Sequence, residues 1–231
     1  MMEDIEKFVK SIGINFNNQG LLKQVFIHRS YINEHRGSSL VHNERLEFLG
    51  DAVLELAVTE YLFVHYDRPE GEMTSWRSAL VKGESLSEEA KKIGMEDHIR
   101  VSRGEAKNTG KARDLILANA FEALIGAVYL DQGYETAKKF IEKYIIYKLD
   151  EILENQRYID AKSQLQEISQ EKFSITPTYE TISETGPDHN KKFVVGVYIG
   201  KKKVGEGEGN SKQKAQIAAA ANALENKELF E

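Results

Sequence analysis

The chain has no cysteine. That excludes disulfides, thiolate zinc sites and cysteine nucleophiles. It also has no apolar run near the roughly 20 residues a membrane-spanning helix needs, so no membrane association is expected. Met1-Met2-Glu3-Asp4 places acids where a secretory signal carries basic and then apolar residues. An intracellular, cytoplasmic location is the simple expectation. A basic excess is missing too. Thirty-one Lys and Arg stand against 37 Asp and Glu, for a net charge of −6. Taken as an average, that argues against a polyanionic partner.

The average hides a local pattern. Between His189 and Lys214 lie seven lysines (Lys191, Lys192, Lys201, Lys202, Lys203, Lys212 and Lys214) and only two acids, Glu206 and Glu208. An acidic chain can therefore carry one basic face. Lysines at a hairpin such as Lys201 to Lys203 commonly serve solvation, so charge alone decides little.

The hydrophobic pattern divides the chain near residue 155. Upstream it reads as helical throughout, an all-α domain over 1–154. The segments His42 to His65 and Arg113 to Leu130 are rich in Leu, Ala, Glu and Val and lack proline. Helical periodicity fits both better than alternation. Met73 to Ile93 and Tyr134 to Leu153 are further amphipathic candidates, and Asp131-Gln132-Gly133 is a stop. After a linker over 155–160, a small α+β domain of order α-β-β-β-α is expected over 161–229. Its parts are a helix from Ala161 to Phe173, strand composition from Pro177 to Thr185, a dense strand from Phe193 to Ile199, and a third strand from Lys203 to Glu208. Ser211 caps an alanine-rich helix from Lys212 to Leu224. An antiparallel meander with both helices on one face is the economical arrangement.

Chemistry is suggested by the segment Asn43 to Glu55. At roughly 100° per residue, Glu44, Glu47, Asp51 and Glu55 share an arc of about 80°. Leu46, Leu49, Ala52, Val53, Leu54, Leu56 and Ala57 occupy most of the rest, which predicts a helix buried nearly all round. Two readings compete. The stripe is a solvated acidic face, or it is a metal site. A solvated face is usually wide and of mixed sign, whereas this stripe is narrow and single-signed. Packed like charges call for a cation. On the second helix, Asn119 and Glu122 are the only polar residues between Leu117 and Ala127, one turn apart. They are either a buried hydrogen-bonded pair or further oxygen ligands. Oxygen donors without His or Cys favour Mg²⁺ or Mn²⁺ over zinc.

His42-Asn43-Glu44-Arg45-Leu46-Glu47-Phe48-Leu49-Gly50-Asp51-Ala52-Val53-Leu54 resembles the signature helix of bacterial ribonuclease III. The likeness extends to Phe26-Ile27-His28-Arg29-Ser30, to Phe121-Glu122-Ala123-Leu124-Ile125-Gly126, and to the C-terminal module, which resembles a double-stranded-RNA-binding domain. The resemblance implies an endonuclease that hydrolyses double-stranded RNA with Mg²⁺, leaves 5′-phosphate and 3′-hydroxyl ends with a short 3′ overhang, works as a homodimer and processes rRNA and mRNA precursors. It implies Glu47, Asp51, Asn119 and Glu122 as metal-binding positions, with Asp51 and Glu122 catalytic, and Glu44 and Glu70 as supporting acids. Glu55 has no counterpart and is expected to be structural or solvated. For the RNA it implies Gln164 and Glu167 at one minor groove, His189 at a second, and Lys212 and Lys214 on phosphate. Arg77, Lys82, Lys111 and Arg113 are weaker RNA candidates in the first domain. No Ser-His-Asp or His-His pair stands where a metal-free route would need it.

One departure matters. The family usually has aspartate where this chain has Asn119, which offers a carbonyl oxygen without charge. Asn119 is a working natural variant, an inactivating substitution, or the mark of a relative that binds double-stranded RNA without cutting it.

Overall fold

The computed structural model describes residues 2–35, 37, 39–154, 161–187 and 191–226. The chain divides into two compact units, Met1–Tyr158 and Ile159–Glu231. The expected linker lies outside the described residues, as do His189 and residues 227–229.

The first unit is helical: α1 (Met2–Ser11), α2 (Gln19–Val25), α3 (Arg29–Glu34), α4 (Glu44–His65), α5 (Glu70–Val81), α6 (Gly83–Lys92), α7 (Lys111–Gln132), α8 (Tyr134–Tyr144) and α9 (Leu149–Glu154), with short 3₁₀ turns between some of them. Helix α7 is the centre of the core. Leu117, Ala120, Phe121, Ala123, Leu124, Ile125, Ala127 and Val128 are all fully buried. Each large apolar side chain so buried contributes about 1.5–3 kcal/mol. Helix α4 lies along α7 and buries Leu46, Val53, Leu54, Ala57 and Leu62.

Three expectations need correction. Met73 to Ile93 is not one helix. Lys82, with φ −58° and ψ 143°, separates α5 from α6. On a continuous helix Leu80 and Leu86 would point about 120° apart, yet both are fully buried. The break lets both side chains face the core, and Gly83 makes helix interruption cheap. Nor is α4 buried nearly all round. Phe48 is 81% exposed, Leu56 57% and Phe63 76%. They lie on one side of α4 at spacings of eight and seven residues. Tyr134 to Leu153 likewise divides, into α8, a 3₁₀ turn over Ile146–Lys148 and α9.

The second unit has the expected order: α10 (Ala161–Phe173), β1 (Thr178–Thr185), β2 (Lys192–Ile199), β3 (Lys202–Gly209) and α11 (Lys212–Glu225). The strands form an antiparallel meander, β1-β2-β3. A two-residue turn pairs Ile199 with Lys202, and Gly200 takes φ +62° within it. Ala161 and Leu165 of α10 share one core with Val197, Val204, Ala219, Ala220 and Ala223, so both helices pack into the same apolar layer. Period-two spacing puts Gly205, Gly207 and Gly209 on one side of β3, where α11 lies against the backbone. A Cβ on Gly207 would sit 2.1 Å from the Ala219 nitrogen, and one on Gly209 2.5 Å from the Ala215 nitrogen. Small residues on both partners are the condition for that approach.

Gly207→Ala should therefore force α11 off the strand and cost the second unit about 1–3 kcal/mol. Gel shift with duplex RNA should show weakened binding. Unfolding of the first unit, followed by its buried Trp76, the chain's single tryptophan, should stay put. Unweakened duplex binding would show that the helix can yield.

Candidate active site and duplex-binding surface

The site is built where α4 crosses α7. An ideal Cβ on Gly50 would fall 1.8 Å from the Glu122 carbonyl oxygen, and one on Gly126 2.2 Å from the Leu46 carbonyl oxygen. The two backbones touch. Leu46 and Gly50 each precede an acid of the stripe, Glu47 and Asp51, and Glu122 is itself part of the contact. Side chains that leave the two helices beside this contact share one pocket of charge.

The electrostatics show it. The Glu122 carboxyl is pushed up to about 7, by burial first and then by the charges of Asp51 and Glu47. The Glu47 carboxyl is also raised, by burial, then Glu44, then Asp51, while a side-chain hydrogen bond with Asn119 opposes the rise. The amide of Asn119 is the donor to that carboxylate. Glu47, Asn119 and Glu122 are half-buried and Asp51 is exposed. The structure thus brings Glu47, Asp51, Asn119 and Glu122 together.

The surrounding residues fix where α4 starts. Asn43 is buried, its side-chain amide donating to the Val25 carbonyl at 3.0 Å and its backbone N–H to the Ile27 carbonyl at 2.9 Å. His28 accepts the Ser30 N–H at 3.3 Å, capping α3, and the Ser30 hydroxyl accepts the Ser102 N–H at 2.9 Å. The segment Phe26 to Ser30 is thus scaffolding for the first turn of α4. There Glu44 lies 3.7 Å from Arg29 Nη1 and 3.6 Å from His42 Nδ1. Glu70, exposed in the first turn of α5, is not among the charges that raise Glu47 or Glu122. Glu55 leaves the stripe's chemistry: Arg77 Nε meets it at 2.9 Å, and Arg77 also donates to the Thr59 hydroxyl. Arg113 is occupied by Glu96 at 2.9 Å. Both arginines suggested for RNA are therefore engaged within the unit.

On the second unit, Gln164 and Glu167 are exposed on α10, about one turn apart. Lys212 and Lys214 open α11, whose first turn is capped by Ser211 Oγ accepting the Lys214 N–H at 3.2 Å. The basic run is less positive than its count. Lys191 pairs with Glu184, Lys192 with Glu208 and Lys203 with Glu206. Lys212 is held only loosely, 4.0 Å from Glu184.

Residues 18–149 match the Ribonuclease-III-like family, and residues 161–227 match the double-stranded RNA binding motif. The chain belongs to the ribonuclease III family of double-stranded-RNA endonucleases. It is 45% identical over 224 residues to Ribonuclease 3 of Oceanobacillus iheyensis, covering 96% of this chain and 98% of that one. Identity to Ribonuclease 3 of Listeria innocua is 44%, covering 96% and 97%. Among solved structures, the nuclease domain of ribonuclease III from Campylobacter jejuni is similar at a TM-score of 0.54 and 40% identity, covering 61% of this chain and 97% of that one.

What sequence reasoning missed in this ribonuclease III chain is Gly50 and Gly126. Their signal was present, glycine inside two otherwise strong helical patterns, but only the crossing shows its use.

The raised Glu122 carboxyl makes a stability prediction for the metal-free protein. The folded state holds a proton up to about 7, whereas the unfolded chain releases it near 4.5. Ionising Glu122 therefore costs stability increasingly as the pH rises between those values. Glu122→Gln should remove that cost. Urea unfolding in EDTA, followed by Trp76, should show the variant more stable by about 1–2 kcal/mol at pH 8, allowing for solvent screening of a half-buried group. The gain should vanish near pH 4. A gain independent of pH would point to packing instead of charge.

Proposed function

We propose that this chain hydrolyses phosphodiester bonds of double-stranded RNA with Mg²⁺, or Mn²⁺ in its place, leaving 5′-phosphate and 3′-hydroxyl ends. One observation carries the reading: the crossing of α4 and α7 gathers the carboxylates of Glu47, Asp51 and Glu122, and burial first, then the charges of Asp51 and Glu47, raises Glu122 to about 7. Among the described residues no cation is one of the charges that act on Glu47 or Glu122, and such a cluster has a use for one.

The donor set fits a hard divalent ion. All its atoms are oxygens. The Asn119 amide nitrogen is engaged with Glu47, which leaves its carbonyl oxygen as the ligand. Among the described residues, no three acidic or histidine side chains already stand in ligand geometry, so side-chain rotation accompanies binding. Glu47, Asp51, Asn119 and Glu122 would hold the ion. Bound there, Mg²⁺ supplies Lewis acidity, lowering the pKa of water and offsetting charge on the phosphoryl and leaving oxygens. Asp51 and Glu122 are the catalytic acids, a reading supported by Asp51 being the charge that acts most strongly on Glu122. Glu44 supports them by extending the acidic rim beside Glu47, and a supporting role for Glu70 rests on the resemblance alone.

The second unit supplies the grip. A-form RNA is recognised by shape, 2′-hydroxyls and phosphates across two minor grooves and the major groove between them. Gln164 and Glu167 serve one minor groove. Lys212 and Lys214 serve phosphate at the positive end of α11. His189, at the other minor groove, rests on the resemblance alone.

Two cuts on two strands need two sites, and a homodimer provides them. The exposed Phe48, Leu56 and Phe63 on α4 support that assembly, because aligned large apolar side chains favour burial. The Campylobacter jejuni structure is described by a region involved in dimer formation of its nuclease domain. The role that follows is processing and decay of rRNA and mRNA precursors in the cytoplasm.

A second reading, a double-stranded-RNA binder with impaired cleavage, is favoured by one observation, the neutral Asn119. Long duplex RNA titrated with Mg²⁺ separates the two. Cleavage should appear with Mg²⁺ and fall by about a hundred- to a thousandfold in Glu122→Gln, with RNA binding retained. No products at any Mg²⁺ or Mn²⁺ concentration, with binding intact, would establish the impaired reading. Asn119→Asp should raise cleavage at limiting Mg²⁺; unchanged cleavage would mean that the site has adapted to asparagine. Phe48→Asp should shift the sedimenting species from dimer to monomer, and a persistent dimer would place the interface elsewhere.

A further inference from the structure

We infer that Gly126 is a positioning residue for the metal site: its backbone contact with Leu46 and Gly50 sets the separation of the acids on α4 and α7, and thereby the Mg²⁺ affinity. The inference rests on the metal reading proposed above.

The geometry is specific. A Cβ on Gly126 would lie 2.2 Å from the Leu46 carbonyl oxygen, 3.0 Å from the Gly50 nitrogen and 3.2 Å from the Leu46 carbonyl carbon. All three are backbone atoms of α4, so no side-chain rotation can relieve the clash. The helices must separate, by about 1 Å to restore an ordinary carbon–oxygen contact. The atoms that move belong to the residues before Glu47 and Asp51. Glu122 sits one turn before Gly126 on the same face of α7, and its own carbonyl abuts Gly50 at the other end of the contact. A displacement here moves the backbone from which the acids project. Mg²⁺ demands oxygens at about 2.0–2.1 Å in near-ideal geometry, so such a displacement is of a size the ion does not tolerate. Misplacement on that scale lowers affinity or rate by about ten- to a hundredfold.

Gly83 provides the internal control. A Cβ there would also approach α7, meeting the Ala118 Cβ at 3.8 Å, which is ordinary contact. Gly83→Ala adds a methyl group beside the same helix without separating α4 from α7.

The experiment uses the full chain, with Mg²⁺ and Mn²⁺ as probes. Calorimetric titration of the metal-free protein gives affinity directly, and the dependence of thermal unfolding on Mg²⁺ gives it by linkage, since a ligand of the folded state stabilises by mass action. Gly126→Ala should weaken Mg²⁺ binding about ten- to a hundredfold, raise the Mg²⁺ needed for half-maximal cleavage in parallel, and leave duplex RNA binding by the second unit unchanged. Gly83→Ala should bind Mg²⁺ as the parent does. Leu46→Ala removes a buried side chain from α4 but leaves the glycine contact, so it should lower stability with Mg²⁺ affinity kept. If Leu46→Ala weakens Mg²⁺ as much as Gly126→Ala does, loss of packing explains the effect and the inference falls. It falls also if Gly126→Ala binds Mg²⁺ within twofold of the parent. A Gly126→Ala chain that stays unfolded at every Mg²⁺ concentration would overturn it too, because the contact would then serve the whole fold. A parent protein that binds neither ion in titration refutes the metal reading itself, an outcome distinct from equal binding by parent and variant.

Discussion

Two helix backbones touching at Gly50 and Gly126 set the terms for everything the first unit can do. The approach is opposed by charge, because it gathers Glu47, Asp51 and Glu122. At an effective dielectric of about 20, two carboxylates at 4 Å repel by about 4 kcal/mol, and partial exposure reduces that. Apolar burial on α7 is larger. Leu117, Phe121, Leu124 and Ile125 are each fully buried, and each contributes about 1.5–3 kcal/mol. The core therefore wins, and it holds the acids in an arrangement they would not adopt alone. The Glu122 carboxyl is raised by its burial there first, and by the neighbouring charges of Asp51 and Glu47 second.

The sequence made some of this readable and hid the rest. Period alone located α4 and α7, because long apolar helices with few polar residues leave little ambiguity. It also placed Asn119 and Glu122 on one face. It could not show that the two faces meet at backbone distance, since a glycine in a helix reads as weakness until its partner is known. Glu55 shared the stripe's angular position, and only the placement of α5 reveals that Arg77 neutralises it. The expectation that α4 is buried nearly all round, with Leu56 among its core residues, fails for a similar reason, since Phe48, Leu56 and Phe63 are exposed. Composition reports that a residue seeks burial, without saying whether its own chain provides it.

In the second unit more was readable, because its pattern is local. The dense apolar run of β2 and the Ser211 cap act within a few residues of themselves. The glycine alternation of β3 matches the alanine spacing of α11, and both are visible in the sequence once the pairing is known. Charge was less readable. Seven lysines suggested a broad basic face, but Lys191, Lys192 and Lys203 are engaged by Glu184, Glu208 and Glu206. Exposed pairs of this kind contribute about 0–1 kcal/mol to stability. Their larger effect is to leave the available positive charge to Lys201 and Lys202 at the hairpin and to Lys212 and Lys214 at the start of α11.

Both units thus use glycine to bring backbones together, but with different consequences. Against α11 the result is packing alone. Between α4 and α7 it is packing that stores charge repulsion, and Asn119 moderates it. Its amide donates to Glu47 and opposes the rise that burial imposes there. An aspartate in that place would replace the donor with another negative charge beside Glu47, adding to the repulsion in the metal-free state while strengthening the attraction for a cation. On the proposed reading, this chain has given up part of that attraction for a resting site that is less strained. Asparagine at this position is then a shift along one electrostatic balance, with oxygen ligation kept and one charge removed.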